Sequence, residues 1–220
     1  MGEFHRLGQG VEQNYPRAVE WYVKAADGGY AKAMHNLGKF YFDGTGVKQD
    51  YRQSIKWFRK ASDAGMALSM NNVAVQYSKG LGVPQNADEA MKWYRKAVKS
   101  RSTLAVDNMG KLHAKAQGSA REEIAQWLIG QAKANNAHVA FALAMWHNTG
   151  RYEFPTDNAR TILYLQKAAD LGVPQAMFNL SQMYLAGLGV DKDEQKAREW
   201  LNKAAAAGNK MALELVGPRD

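Results

Sequence analysis

Apolar side chains follow helical spacing along this chain, and the pattern itself returns in blocks of roughly 36 positions. Trp21, Trp57 and Trp93 stand 36 residues apart, and Trp127, Tyr164 and Trp200 continue the series at 34, 37 and 36. A second series runs in step with small residues, Gly38, Ala74, Gly110, Ala144 and Ser181. The residue before each is apolar (Leu37, Val73, Met109, Leu143, Leu180) and the third after it is a ring (Tyr41, Tyr77, His113, His147, Tyr184). Positions three and four apart share one helical face. Glycine inside a helix costs about 1 kcal/mol against alanine, so a small residue held at this register predicts close approach of a neighbouring helix.

Each block therefore predicts helix A, a turn, helix B and a short connection. In the first complete block helix A spans about Ala31–Phe42 and helix B about Tyr51–Ala64. The turn is Gly8-Gln9-Gly10-Val11, Gly44-Thr45-Gly46-Val47, Gly80-Leu81-Gly82-Val83 and Gly187-Leu188-Gly189-Val190. It shrinks to Gln117-Gly118-Ser119 before Trp127, and becomes Gly150-Arg151-Tyr152-Glu153-Phe154-Pro155 before Tyr164. Asn14, Asp50, Asn86, Asp157 and Asp193 are expected helix B N-caps, whose side chains accept from the free N–H groups of a first turn. Asn86 with Glu89, and Ser119 with Glu122, have capping-box spacing. Gly28, Gly65, Gly172 and Gly208 suit left-handed stops for helix B. The Trp series is expected in the core, and no alternating run long enough for a strand is present.

These markers resemble the Sel1-like repeat, a relative of the tetratricopeptide repeat. Ala33, Leu37, Gly38, Tyr41, Gly44, Gly46, Val47, Asp50, Trp57, Phe58, Ala61 and Gly65 carry the resemblance in one unit. Ala176, Leu180, Tyr184, Gly187, Gly189, Val190, Asp193, Ala197, Trp200, Ala204, Ala205 and Gly208 carry it in another. The resemblance implies an all-α fold, a right-handed α/α superhelical solenoid of about six helix-turn-helix units, with helices A lining the concave face. The array is expected over 5–217, with units near 5–30, 31–66, 67–102, 103–136, 137–173 and 174–209 and a partial unit at 210–217. Met1 to Phe4 read as a cloning remnant, with no helix A ahead of Gly8, and Gly217-Pro218 as the end of any last helix.

Composition narrows the classes. The 220 residues are 46% hydrophobic and 23% charged, the balance of a folded domain rather than a disordered segment. With no cysteine there is no disulfide, thiol nucleophile or Cys-based metal site. The longest apolar run, Ala137 to Trp146, contains His138 and is too short to span a bilayer. No secretory segment opens the chain, and Arg6 stands where a myristoylation signal needs Ser or Thr. The net charge is +8, and the excess lies early: residues 1–110 hold 16 Lys and Arg against 10 acids, the remainder 13 against 11. That excess could attract an acidic partner, an anionic surface or nucleic acid, although a solvated basic face is the preferred explanation.

No catalytic, phosphate-binding or metal pattern is found, so neither enzyme activity nor a cofactor or metal is expected. His113 and His147 fall at the repeat's ring position and read as packing residues; His5, His35 and His138 lack a second ligand at metal spacing. Lys24, Lys60, Lys96, Lys167 and Lys203 recur three residues after the aromatic, where positive charge suits the end of a helix. The denser group Lys92, Arg95, Lys96, Lys99 and Arg101 is a candidate for an acidic partner. Specific nucleic-acid binding is not expected, since it needs aromatics on an exposed face.

If helices A line the groove, rotation by 100° per residue turns registers 32, 35, 36, 39 and 42 toward a partner. The candidate contact residues are His35, Lys39, Phe42, Leu68, Asn71, Val75, Asp107, Lys111, Phe141, Met145, Phe178, Gln182 and Leu185. Apolar groups rimmed by polar ones mark interaction sites. Asn36, Asn72, Asn108 and Asn179 could instead form a structural hydrogen-bond ladder. The function expected is a non-enzymatic adaptor or scaffold that holds a protein or peptide. The alternative is an immunity protein that neutralises a secreted bacterial toxin; an enzyme subunit or weak nucleic-acid binder is disfavoured. Membrane insertion is not expected, and self-association through the ends is open. The sequence does not fix the compartment; the resemblance favours the bacterial periplasm over the cytoplasm.

Overall fold

The computed structural model of the chain describes residues 1–217. Among them are thirteen α-helices, one 3-10 turn and no strand. Two compact units divide at Ala105/Val106. The first holds α1 (Gly2–Leu7), α2 (Tyr15–Asp27), α3 (Ala31–Asp43), α4 (Tyr51–Asp63), α5 (Ala67–Lys79), α6 (Ala87–Lys99) and the start of α7 (Thr103–Lys115). The second holds the rest of α7, then α8 (Gly118–Lys133), α9 (Ala137–Thr149), α10 (Asn158–Asp170), α11 (Pro174–Ala186), α12 (Glu194–Ala206) and α13 (Lys210–Val216). Within the first unit each helix from α1 to α6 packs on the next, and within the second each from α8 to α13 does so.

The caps explain the helix starts. The side chains of Asn14, Asp50, Asn86, Asp157 and Asp193 accept from backbone N–H groups two or three residues on. Only half of the Asn86 box forms: Glu89 gives its N–H to Asn86 while its carboxylate takes Lys92. The Ser119 box does not form, because α8 already begins at Gly118 with Gln117 at the cap. Helix B turns left-handed at Gly65, Gly172 and Gly208, and in the first unit at Gly29 rather than Gly28. Arg101 and Asn135 take the same left-handed conformation without the benefit of glycine. Gly217 stops α13 with φ +77°; Pro218 lies outside the described residues.

The two glycines of the turn do different jobs. Gly44 is the left-handed C-cap of α3, its N–H bonding Phe40 O. Gly46, at φ +71°, lies so close to the start of α2 that a Cβ there would come 2.5 Å from Tyr15 Cβ. The turn of one repeat thus presses on helix B of the repeat before it. Gln13, Gln49 and Gln85 complete the device by donating Nε2–H to Arg6 O, Phe42 O and Ser78 O, near the end of helix A. The small residue of helix A has the expected role: a Cβ on Gly38 would lie 2.5 Å from the Phe58 ring.

Three expectations are corrected. First, a helix precedes Gly8: Gly2, Glu3 and Phe4 lie in α1, and Tyr22 donates its hydroxyl to Glu3 at 2.5 Å. Gly2 stands 36 residues before Gly38, in the same register. Second, the core position is the residue after the series aromatic: the rings of Tyr22, Phe58 and Tyr94 and the side chains of Leu128 and Leu165 are buried, whereas Trp21 is 39% exposed and Trp57, Trp93 and Trp200 are half-buried. In the outlying member of the series Tyr164 is itself buried. Third, the recurrent lysines do more than complement a helix end. Lys24, Lys60, Lys96 and Lys203 lie over the rings of Trp21, Trp57, Trp93 and Trp200, with Nζ 4.2 to 5.0 Å from the centroid. Cation–π attraction and a shared helical face hold each pair together.

The loop Gly150–Pro155 replaces the glycine turn in the second unit. Its 3-10 turn, Arg151–Glu153, contains two successive left-handed residues, Tyr152 and Glu153. Such a conformation costs about 1–2 kcal/mol per non-glycine residue. Its compensation is visible: the Tyr152 ring fills the space above Gly110 and its hydroxyl donates to Asp107 at 2.5 Å. Phe154 stacks on His113 at 4.2 Å, and His113 and His147 donate Nδ1–H to the carbonyls of Tyr152 and Pro155. Both histidines are buried packing groups that pin this loop.

Candidate partner-binding surface

In the first unit, α3 and α5 present the expected registers. His35, Lys39 and Leu68 share a cleft of about 450 Å³ with Lys32, Asn36, Phe40, Met66 and residues of α1. Lys39, Phe42 and Val75 line a second, of about 200 Å³, with Asp43, Phe58 and Asn72. Leu68 is 45% exposed, and Phe42 keeps one side against the Tyr51 ring. Five of the six candidates in this unit therefore share two adjoining hollows. The sixth, Asn71, is corrected: it is only 5% exposed. A residue at this register can turn along the stack toward the neighbouring helix A. His35, in the same register, shows why, since its Nδ1 bonds Ser69 Oγ of α5 at 2.8 Å.

In the second unit the candidates are more engaged. Asp107 binds Lys111 at 2.7 Å, Arg151 at 3.4 Å and the Tyr152 hydroxyl. Burial alone would raise its pKa, but these partners outweigh it and hold the carboxyl below its ordinary range. Phe141, Met145 and Phe178 are half-buried. Met145 Sδ accepts from Asn179, and Phe178 packs on the Ala204–Ala205–Ala212 cluster, so it is partly core. Gln182 and Leu185 are exposed, Leu185 at 47%. Asn179 also accepts from Gln175, which in turn accepts from Asn209 at the start of α13. Glu3, Arg6 and Tyr15 also help form the larger cleft; without a helix expected ahead of Gly8, no register in the sequence brings Glu3 and Arg6 to it.

The partly exposed tryptophans remove one ground for setting nucleic acid aside, but lysines lie over the rings of Trp21, Trp57, Trp93 and Trp200. No helix among the described residues is long and apolar enough to cross a membrane. No cluster of three metal-capable side chains occurs among them.

Burial lowers the pKa of His35, with help from Lys39, and burial lowers that of His113. The fold thus favours their neutral forms, while the unfolded chain takes up protons near pH 6.5. The contribution of these two groups to stability is therefore full above that value and declines as pH falls below it. Glu3, held down to about 2 by bonds from Arg6 and Tyr22, acts only at more acid pH. Acidification from pH 7.5 to 5.5 should lower the thermal midpoint, with a shallower slope in His35→Gln and His113→Gln; an identical slope in all three proteins would count against this assignment.

The Sel1 repeat profile matches residues 1–30, 31–66, 67–101, 137–173 and 174–209. A solved Sel1 repeat protein from Oxalobacter formigenes is 32% identical, with a TM-score of 0.56 over 92% of this chain and 82% of its own. A protective antigen of uropathogenic Escherichia coli strains, displaying an SLR fold, is 31% identical with a TM-score of 0.60 over 96% of this chain and 45% of its own. An exopolysaccharide production negative regulator of Rhizobium leguminosarum is 46% identical over 55 residues, 25% of this chain. The match spans about a fifth of that curated relative's length. Repeats of this type act as protein-interaction scaffolds and are generally non-catalytic. With five matched repeats and a stacked all-helical architecture, the chain belongs to the Sel1 repeat family.

Proposed function

We propose that the chain is a non-enzymatic adaptor that holds a partner protein or peptide on the exposed face of its A helices. The observation that carries this reading is the pair of adjoining hollows on α3 and α5. They bring His35, Lys39, Phe42, Leu68 and Val75 together from two repeats. Exposed apolar groups rimmed by polar ones are the makings of a binding surface. Gln182 and Leu185 offer a further exposed stretch in the second unit.

The test is capture from lysate and envelope fractions of the source organism, with bound species identified by mass spectrometry. The control variant is Leu68→Asp with Val75→Asp and Leu185→Asp. Phe178 is left intact, because its contacts with α12 and α13 would confuse binding with stability. A stoichiometric partner lost in a variant of unchanged helicity is expected. The identity of that partner separates a scaffold from an inhibitor of a secreted toxin. Capture that survives the triple change would remove the A-helix face as the site.

A further inference from the structure

The larger cleft has a charge pattern that its apolar floor does not explain. Lys32, His35 and Lys39 fall at i, i+3 and i+7 on α3, one stripe of a helix, and all three line the cleft. Five charged side chains contribute to its wall: Arg6, Lys32, Lys39, Glu3 and Asp43. Arg6 and Glu3 are committed to each other at 2.6 Å, and Glu3 also takes the Tyr22 hydroxyl at 2.5 Å. Lys32 acts on Glu3 only through its longer-range field, and no carboxylate among the described residues lies within ion-pairing distance of Lys32 or Lys39. Asp43 is the remaining acid, at the last position of α3, one turn beyond Lys39. Two uncommitted ammonium groups therefore share the cleft with the half-buried His35 imidazole, Met66 and the exposed Leu68.

We propose that this cleft receives an acidic segment of the partner, with two carboxylates seated on Lys32 and Lys39 and an intervening apolar side chain laid on Met66 and Leu68. The assignment rests on the adaptor reading above and names the chemistry of its ligand. The spacing follows from helix geometry. Seven residues at 1.5 Å rise separate the two lysines by about 10 Å along the axis. An extended peptide advances about 3.3 Å per residue, so acids about three positions apart match them. Asn36, beside the stripe, supplies an amide able to bond the backbone of such a segment.

Selection from a random 12-residue peptide display library on the immobilised full chain tests this. Selected peptides are expected to carry paired Asp or Glu two to four positions apart around Leu, Met or Phe. Their affinity should fall about tenfold or more in Lys32→Glu/Lys39→Glu, and in rising salt, as for exposed ion pairs. It should hold in Lys48→Glu/Lys79→Glu, which changes charge equally outside the cleft, and should rise in Asp43→Asn. Lys32→Gln/Lys39→Gln provides a milder change should the reversal disturb folding. Selected peptides without acidic enrichment, equal binding to the Lys32/Lys39 variants, or no selected peptide at all would each overturn the assignment. Non-acidic peptides lost in Leu68→Asp/Val75→Asp would overturn it while leaving the adaptor reading intact. Peptides indifferent to both sets of changes would remove the adaptor site as well.

Discussion

Phe58→Ala should be the most damaging single truncation in the first unit, lowering the unfolding free energy by about 3–5 kcal/mol. Phe58 is 1% exposed, the largest of the fully buried side chains, and its ring lies over Gly38. The same contact makes Gly38→Val costly from the other side, by about 1–3 kcal/mol, because the ring must move to admit a branched side chain. Together the two changes should cost less than their sum, since valine at position 38 grows into the hole that alanine at 58 leaves. Urea unfolding followed by circular dichroism would give the four corners of this cycle. Additivity within about 0.5 kcal/mol would show that the two positions do not share one packing contact.

The second large effect concerns the turn. Gly10 and Gly82 occupy the same register with φ of +72° and +73°. A Cβ at Gly10 meets nothing within 4 Å, whereas at Gly82 it would collide with the Tyr51 backbone. Gly10→Ala should therefore carry only the left-handed backbone cost, about 1–2 kcal/mol. Gly82→Ala should cost that much again or more, because the turn must lift off the start of α4. Equal losses in thermal or urea unfolding would mean that the close approach is unimportant and that backbone conformation alone selects glycine here.

The architecture was readable because its causes are local and repeated. N-caps, left-handed glycines and the small residue of helix A are each dictated by backbone geometry within one or two turns. The misplacement of the tryptophans has an equally physical cause. Size suggests burial, but a half-buried indole with a lysine three residues on satisfies both the neighbouring repeat and the solvent. The core position is one residue later, and the recurring Tyr22, Phe58 and Tyr94 were available as its signal.

The candidate surface was only partly legible for a different reason. A helical wheel separates inward from outward, but it does not resolve the direction along the stack. Asn71 and Phe178 look outward on the wheel, yet Asn71 is buried and Phe178 packs on the Ala204–Ala205–Ala212 cluster. Tyr152 was invisible altogether: its partner Asp107 lies 45 residues away, and its loop departs from every regular turn in the chain.

The seam made by Gly46 on the start of α2, and by Gly82 on the start of α4, joins only adjacent repeats. An in-frame duplication or deletion of 36 codons would reproduce that seam with no new complementary surface to invent. Length is then the most freely inherited variable of such a gene. A lineage can gain or lose binding area by unequal recombination between its own repeats, wherever the junction falls between two repeats that carry the turn glycines.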